Sequence, residues 1–254
     1  MEFVIVTDGV PNEYGLLCKL GEGGFGAVYQ VAPHDRPQTS FAMKIEAAGG
    51  DGPGFRGRNP HFHYVVMSLV GHSLSDLRRK ATPDQKFSLG TALCVGIQSL
   101  EAIEDLHKVG YLHRDLKPAN YAIGRPPLFR HIYVLDFGLC RRHLKTANGR
   151  VEVRRRGRSA GIRGTVRCAP LNCHRGRELG RRDDVKTWYY MLVEITKGKL
   201  PWTFETDKDV VQAVKERCRE RKNLRKMLAR CLKTYIEILK YVDSLQYESA
   251  PSYS

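Results

Sequence analysis

Two short polar runs at a fixed interval constrain this chain more than anything else in it. The first is His113-Arg114-Asp115-Leu116-Lys117-Pro118-Ala119-Asn120; the second, Asp136-Phe137-Gly138, begins 21 residues after Asp115. That interval has room for a pair of strands, which would let both carboxylates face one site. An Asp with Lys two and Asn five positions further on is a compact set for phosphoryl transfer. Asp115 can accept a hydroxyl proton, Lys117 can steady a transferred phosphate, and Asn120 with Asp136 can hold Mg²⁺. Asp-Phe-Gly alone recurs by chance, whereas the two runs in this order and spacing are specific.

Upstream lies Gly21-Glu22-Gly23-Gly24-Phe25-Gly26-Ala27-Val28, set between strand-like residues 14–20 and 27–31. A dinucleotide fingerprint would run from a strand into a helix instead. Glycines let a hairpin backbone fold over a triphosphate with its N–H groups free to donate. Phe25 at the tip can shield phosphates from water and Val28 can cover an adenine face, with Leu20, Glu22 and Ala42 completing the expected nucleotide contacts. Lys44 closes the strand Phe41-Ala42-Met43-Lys44, 23 residues after Gly21. It is the natural partner for the α- and β-phosphates of ATP.

With these motifs the chain resembles the protein kinase superfamily over nearly its whole length. The finer resemblance is to the casein kinase 1 family, in its tau-tubulin kinase-like and nematode-expanded branches. It rests on Tyr64-Val65-Val66-Met67, on Gly71-His72-Ser73-Leu74-Ser75-Asp76-Leu77-Arg78-Arg79, and on Gly161-Ile162-Arg163-Gly164-Thr165-Val166-Arg167. Gly180-Arg181-Arg182-Asp183-Asp184 and Gly198-Lys199-Leu200-Pro201-Trp202 add to it. The resemblance implies an α+β, two-lobed kinase fold, with a small β-rich lobe over 1–70 and a mainly helical lobe over 71–254. It implies that Met67 stands behind the adenine, that backbone groups of Ser68 and Val70 bond its edge, and that Asp76 approaches the ribose. Asp184 would cap the catalytic loop from below. Thr165 would tie Asp115 to Lys117, and Lys117 itself is similar to the serine/threonine class. It further implies a monomer acting on acidic or already phosphorylated proteins, with Arg114, Arg163 and Arg167 as anion contacts. Ala169-Pro170-Leu171-Asn172 stands where most kinases carry Ala-Pro-Glu, and the chain stops at Ser254 before the family's final helix.

Composition narrows the setting. Residues 1–10 lack the basic segment of a signal peptide, and no apolar run approaches the ~20 residues of a membrane span. Seven scattered cysteines suit reduced thiols in the cytoplasm, with the nucleus as the alternative. Cys168, Cys173 and His174 do not match a zinc ligand spacing. The formal net charge is +15, and residues 141–182 hold fourteen Lys and Arg against Glu152 and Glu178 alone. A basic groove attracts acidic partners; the triplet Arg154-Arg155-Arg156 reads equally well as a solvated loop. RNA binding lacks the aromatic interleaving it needs.

Helices are expected where apolar residues step by three and four: Leu93, Ile97, Leu100, Ile103 and Leu106 form a core stripe ending at Gly110. Others are expected from Asp183 through residue 195, over 207–218 and over 228–245. One region departs from the family pattern. An ordinary kinase places a helix bearing a Lys-pinning Glu, αC, and a fourth strand between Lys44 and Met67. These need roughly 30 residues. Residues 45–63 number nineteen and include five glycines and two prolines. The composition forbids a stable helix, so αC and the fourth strand are expected to be missing and one sheet face to lose its apolar cover. Glu46, on the same strand face as Lys44, is either a replacement partner or a solvated strand-end acid. The alternative to an active enzyme is a catalytically weak pseudokinase that still binds ATP or docks partners.

Overall fold

In Phe41-Ala42-Met43-Lys44-Ile45-Glu46 every second residue is large and apolar, the period of a strand with one buried face. The computed structural model describes residues 14–23, 26–47, 57–59, 62–81, 83–147, 150–154 and 164–254, and there this pattern becomes sheet. Residues up to Gly71, together with Arg125–Phe129, form one unit; His72–Gly124 and Arg130–Ser254 form a second.

The first unit carries strands β1 (Tyr14–Gly23), β2 (Gly26–Pro33), β3 (Phe41–Ala47), β4 (Gly57–Asn59) and β5 (Phe62–Ser68), in the antiparallel order β1-β2-β3-β5-β4. Cross-strand partners share a face. Val28 opposite Lys44, and Ala42 opposite Met67, therefore put Val28, Ala42, Lys44, Glu46 and Met67 on one side of the sheet. The other side is the core: Val31, Met43 and Val66 are buried, with Tyr14, Tyr29, Phe41, Ile45 and Tyr64 packed round them.

One expectation changes here. The fourth strand is present: three residues, Gly57–Asn59, pair antiparallel with Tyr64, His63 and Phe62. Glycine and proline forbid a helix but allow a short edge strand. The strands' own aromatic side chains pack over the face opposite Lys44, not over the face that a helix pinning Lys44 would cover. No helix lies between β3 and β5 among the described residues, which exclude 48–56 and 60–61.

The second unit opens with α1 (Leu74–Ala81) and α2 (Leu89–Lys108), then β6 (Tyr111–Leu112), a 3-10 turn at Pro118–Asn120, and the hairpin β7 (Tyr121–Ile123) and β8 (Ile132–Val134). A second 3-10 turn, Phe137–Leu139, leads to β9 (Arg141–Arg142), β10 (Leu144–Ala147) and β11 (Arg150–Val153). Helices α3 (Leu171–His174), α4 (Arg181–Lys197), α5 (Lys208–Arg217), α6 (Arg221–Met227) and α7 (Thr234–Ser244) complete it. Of the single helix expected over 228–245, only α7 forms, after a turn with Arg230 at φ 70°; α6, just before that range, was not expected.

The core runs along α4, where every residue from Asp183 to Ile195 is buried. Tyr189, Tyr190, Met191, Val193 and Ile195 are fully covered; each such large apolar side chain contributes about 1.5–3 kcal/mol. Helix α2 begins where Ser88 Oγ accepts the Thr91 amide at 3.2 Å, an N-cap bond. It meets α4 through small residues. Trp188 Nε1 donates to Gly96 O and Ser99 Oγ, each at 3.0 Å, and a Cβ on Gly96 would lie 2.8 Å from Leu192 Cδ1. The buried arc of α2 is Ala92, Val95, Gly96, Ser99, Ala102, Ile103 and Leu106. Ile97 is 60% exposed, contrary to the stripe read from large residues alone.

Candidate active site

Strand β6 ends at Leu112, and the loop that follows is fixed from beneath. Asp184, in the first turn of α4, accepts the backbone N–H of His113 at 2.7 Å and of Arg114 at 2.9 Å. His107 of α2 reaches the same carboxylate through Nε2 at 3.0 Å, and its Nδ1 faces the Tyr253 hydroxyl at 2.5 Å. Burial alone would raise Asp184. The His107 hydrogen bond, the nearby histidines and the loop amide outweigh it and hold the carboxyl below the ordinary range. His113 is fully buried; its Nε2 bonds Leu135 O at 3.0 Å while Nδ1 accepts the Asp115 amide at 3.3 Å. That pair of bonds fits a neutral ring protonated on Nε2, in keeping with a pKa that burial pushes down.

The loop brings Asp115, Lys117 and Asn120 together with Thr165. Asp115 Oδ1 accepts both the backbone N–H and the hydroxyl of Thr165 at 3.0 Å, and Oδ2 accepts Lys117 Nζ at 2.7 Å. Lys117 Nζ also donates to Thr165 Oγ1 at 3.0 Å, closing the triangle expected for Thr165. Asn120 Nδ2 donates to Asp115 O at 2.8 Å and more weakly to Oδ2 at 3.3 Å. Gly164, which sequence reasoning did not place in the site, is what permits this closeness. It sits at φ 96°, and a Cβ there would lie 2.8 Å from Asp115 Oδ1. Only its place next to Thr165 could have flagged it.

The second acid follows from the hairpin. Leu135 N donates to Asn120 O at 2.8 Å, extending the β7–β8 register by one residue towards Asp136. Asp136 is left-handed (φ 60°, ψ 76°) and accepts the Gly138 amide at 3.4 Å. The Phe137 ring lies 5.6 Å from that of His113. With its amide nitrogen engaged by Asp115, Asn120 keeps its carboxamide oxygen for a cation. That oxygen and the Asp136 carboxylate are hard donors that fit Mg²⁺, whose other ligands are normally phosphate and water. Among the described residues no group of three or more His, Cys, Asp and Glu forms a metal site of its own. ATP with Mg²⁺, when bound, supplies the phosphoryl group and neutralises its charge.

In the first unit, Lys44 Nζ lies 3.0 Å from Glu46 Oε1, both side chains mostly covered. Of the two readings left open for Glu46, the geometry is that of the partner. Gly26 (φ 109°) belongs to the same arrangement, since a Cβ would fall 2.1 Å from Ile45 O and 3.0 Å from Glu46 Cγ. At Gly21 and Gly23 an added Cβ meets nothing within 4 Å, an open backbone that a phosphate could approach. Glu22 pairs with Lys19 on the surface and Leu20 is exposed. Ser68 ends β5 opposite Phe41, and Val70 follows outside any strand. Gly24, Phe25 and Arg163 lie outside the described residues.

In the second unit, Asp76 accepts the Ser73 hydroxyl at 2.8 Å and Arg79 Nη2 at 2.6 Å. Two arginines expected to contact anions already serve the fold. Arg114 Nε donates to Leu139 O at 2.7 Å, and Arg167 Nη1 donates at 2.6 Å to the buried Glu194, which also pairs with Arg78. Arg141 is likewise held by Glu178 and Arg175 by Glu216. Much of the basic run therefore builds structure.

Residues 56–241 match the family described as protein tyrosine and serine/threonine kinase. The chain belongs to the protein kinase family. A probable serine/threonine-protein kinase of Dictyostelium discoideum is 42% identical, the match covering 96% of this chain and 52% of that protein. The serine/threonine-protein kinase spe-6 of Caenorhabditis elegans is 32% identical over 98% of this chain and 64% of its own length. A putative serine/threonine-protein kinase of the same organism is 37% identical over 76% of this chain and 56% of its own. The chain thus spans between half and two thirds of the length of these relatives. No helix among the described residues is long and apolar enough to cross a membrane.

Proposed function

We propose that this kinase domain transfers the γ-phosphate of ATP, with Mg²⁺, to Ser or Thr of acidic or already phosphorylated proteins, in the manner of casein kinase 1. The observation that carries the reading is the closed network of Asp115, Lys117 and Thr165. It holds a carboxylate ready for a hydroxyl proton next to a cation that can follow a phosphate. The Asn120 contact at 3.3 Å is the longest on that carboxylate, and an incoming hydroxyl would displace it first. Asn120 and Asp136 would hold the metal. Lys44, kept in place by Glu46 instead of a helical Glu, would bind the α- and β-phosphates, with residues 20–28, Ala42, Met67, Ser68, Val70 and Asp76 round the nucleotide. The net charge of +15 suits acidic substrates. A monomer in the cytoplasm, with the nucleus as a second location and the lobe boundary after residue 70, completes the proposal.

One observation favours a second reading, a nucleotide-binding pseudokinase: Lys44 pairs with an acid of its own strand, and no helix that could carry the usual Glu lies between β3 and β5 among the described residues. Purified protein incubated with Mg²⁺, labelled ATP and casein, beside Asp115→Asn, separates the two. Transfer that disappears in the variant while ATP·Mg²⁺ still raises Tm supports the enzyme. A Tm rise with no transfer by either protein makes it the pseudokinase.

A further inference from the structure

Between α3, the start of α4 and the end of α7 lies an open cavity of about 220 Å³. Its wall holds five cationic side chains, Arg175, Arg177, Arg182, Lys186 and Arg219, against two acids, Asp183 and Asp243. None of them belongs to the network round Asp115. The acids are also oversubscribed. Asp243 is shared by Lys186 and by Arg219, the latter at 3.3 Å through two nitrogens. Asp183 accepts the Gly180 amide at 2.9 Å and Asn172 Nδ2 at 2.8 Å, and lies 3.7 Å from Arg182 Nε. That Arg182 nitrogen has no hydrogen-bond acceptor among the described residues. Arg175 is balanced by Glu216 at 2.7 Å, outside the cavity wall. Arg177 is exposed on the rim, and no carboxylate pairs with it among the described residues.

A wall of this kind is short of negative charge. Arg219 is engaged by Asp243, Lys215 O and the Tyr190 hydroxyl, Arg175 by Glu216 and Arg182 Nη1 by Leu245 O, so the Arg177 guanidinium and the Arg182 Nε are the donors left for a small oxyanion in the cleft. Lys186, with its side chain nine-tenths buried, supplies a cation at the base, where a ligand charge is poorly screened. We propose that this cavity is a second anion site, separate from the catalytic loop, that takes the phosphate monoester of a phosphorylated protein segment. The open rim at Arg177 leaves room for the chain on which the phosphate is carried. The site does not depend on phosphoryl transfer by Asp115, so each reading can fail without the other.

The test is calorimetric titration of the full chain with a short phosphoserine peptide, its unphosphorylated counterpart, and inorganic phosphate. The phosphopeptide is expected to bind, the unphosphorylated peptide not, and inorganic phosphate to compete. Arg177→Gln should weaken phosphopeptide binding about tenfold, the loss of one charge-assisted bond; Arg177→Lys should restore part of it, and Asp115→Asn should leave it unchanged. Arg175→Gln provides a second exposed change at the rim if the first alters Tm. Binding of inorganic phosphate without the peptide overturns the assignment to a protein segment. Absence of any binding, or equal affinity in Arg177→Gln and Arg175→Gln, overturns the site itself.

Discussion

At the scale of single residues, the chemistry round Asp115 rests on a glycine that carries no chemistry. The backbone of Gly164 passes so close to the carboxylate that no side chain fits, at a φ that other residues avoid. Gly164→Ala should therefore push Thr165 off Asp115 and cut kcat by at least about tenfold, the size of one lost charge-assisted bond, and lower Tm by the backbone strain of about 1–3 kcal/mol. Equal kcat in steady-state assays would show that the carboxylate tolerates the shift. Asp115, Lys117, Asn120 and Asp136 were legible in the sequence because their spacing is itself the chemistry. Gly164 and His107 were not. Their roles are contacts with residues far along the chain, which no local pattern records. The bonds of Arg114 to Leu139 O and of Arg167 to Glu194 were hidden for the same reason.

At the scale of elements, β2 and β3 are locked at one point. Gly26→Ala would drive a methyl group into Ile45 O and Glu46. The expected cost is about 1–3 kcal/mol of backbone strain, read as a lower Tm, together with a smaller stabilisation by ATP as Glu46 leaves Lys44. Helix α5 offers a different test. Lys215 is fully buried, and its Nζ donates to Val166 O at 2.9 Å and Ala169 O at 2.7 Å beside His174 Nε2 and the rings of Tyr190 and Trp202. Burial lowers its pKa to about 7. Between that value and about 10.4, where a free lysine titrates, the unfolded chain holds the extra proton, so this residue makes stability rise with pH. The Tm of the parent chain relative to Lys215→Met should climb from pH 7 to pH 9; a constant difference would refute the shift. The strands were legible through their two-residue period. The seam between α2 and α4 was not, because Gly96 and Ser99 make it by being small, which leaves large residues such as Ile97 outside.

At the scale of the whole second unit, one buried carboxylate ties distant segments. Glu194, 1% exposed, joins Arg78 at 3.1 Å and Arg167 at 2.6 Å, and Arg78 also donates to Gly198 O at 2.7 Å. Removing one member of such a cluster leaves uncompensated buried charge. Glu194→Ala should cost about 3–5 kcal/mol, measured by denaturant unfolding; a loss under about 1 kcal/mol, the worth of a surface pair, would show the cluster to be dispensable. The two-lobe architecture could be expected from motif order, but the short β4 could not, because three residues between glycine and proline carry no strand pattern.

The Tyr253 hydroxyl touches His107, whose other nitrogen meets the carboxylate that holds the catalytic-loop amides. Two side chains, His107 and Asp184, thus separate Tyr253 from the reaction centre. A fluorine placed on the Tyr253 ring would report by NMR on the loop's hydrogen bonding while leaving every residue of the Asp115 network untouched.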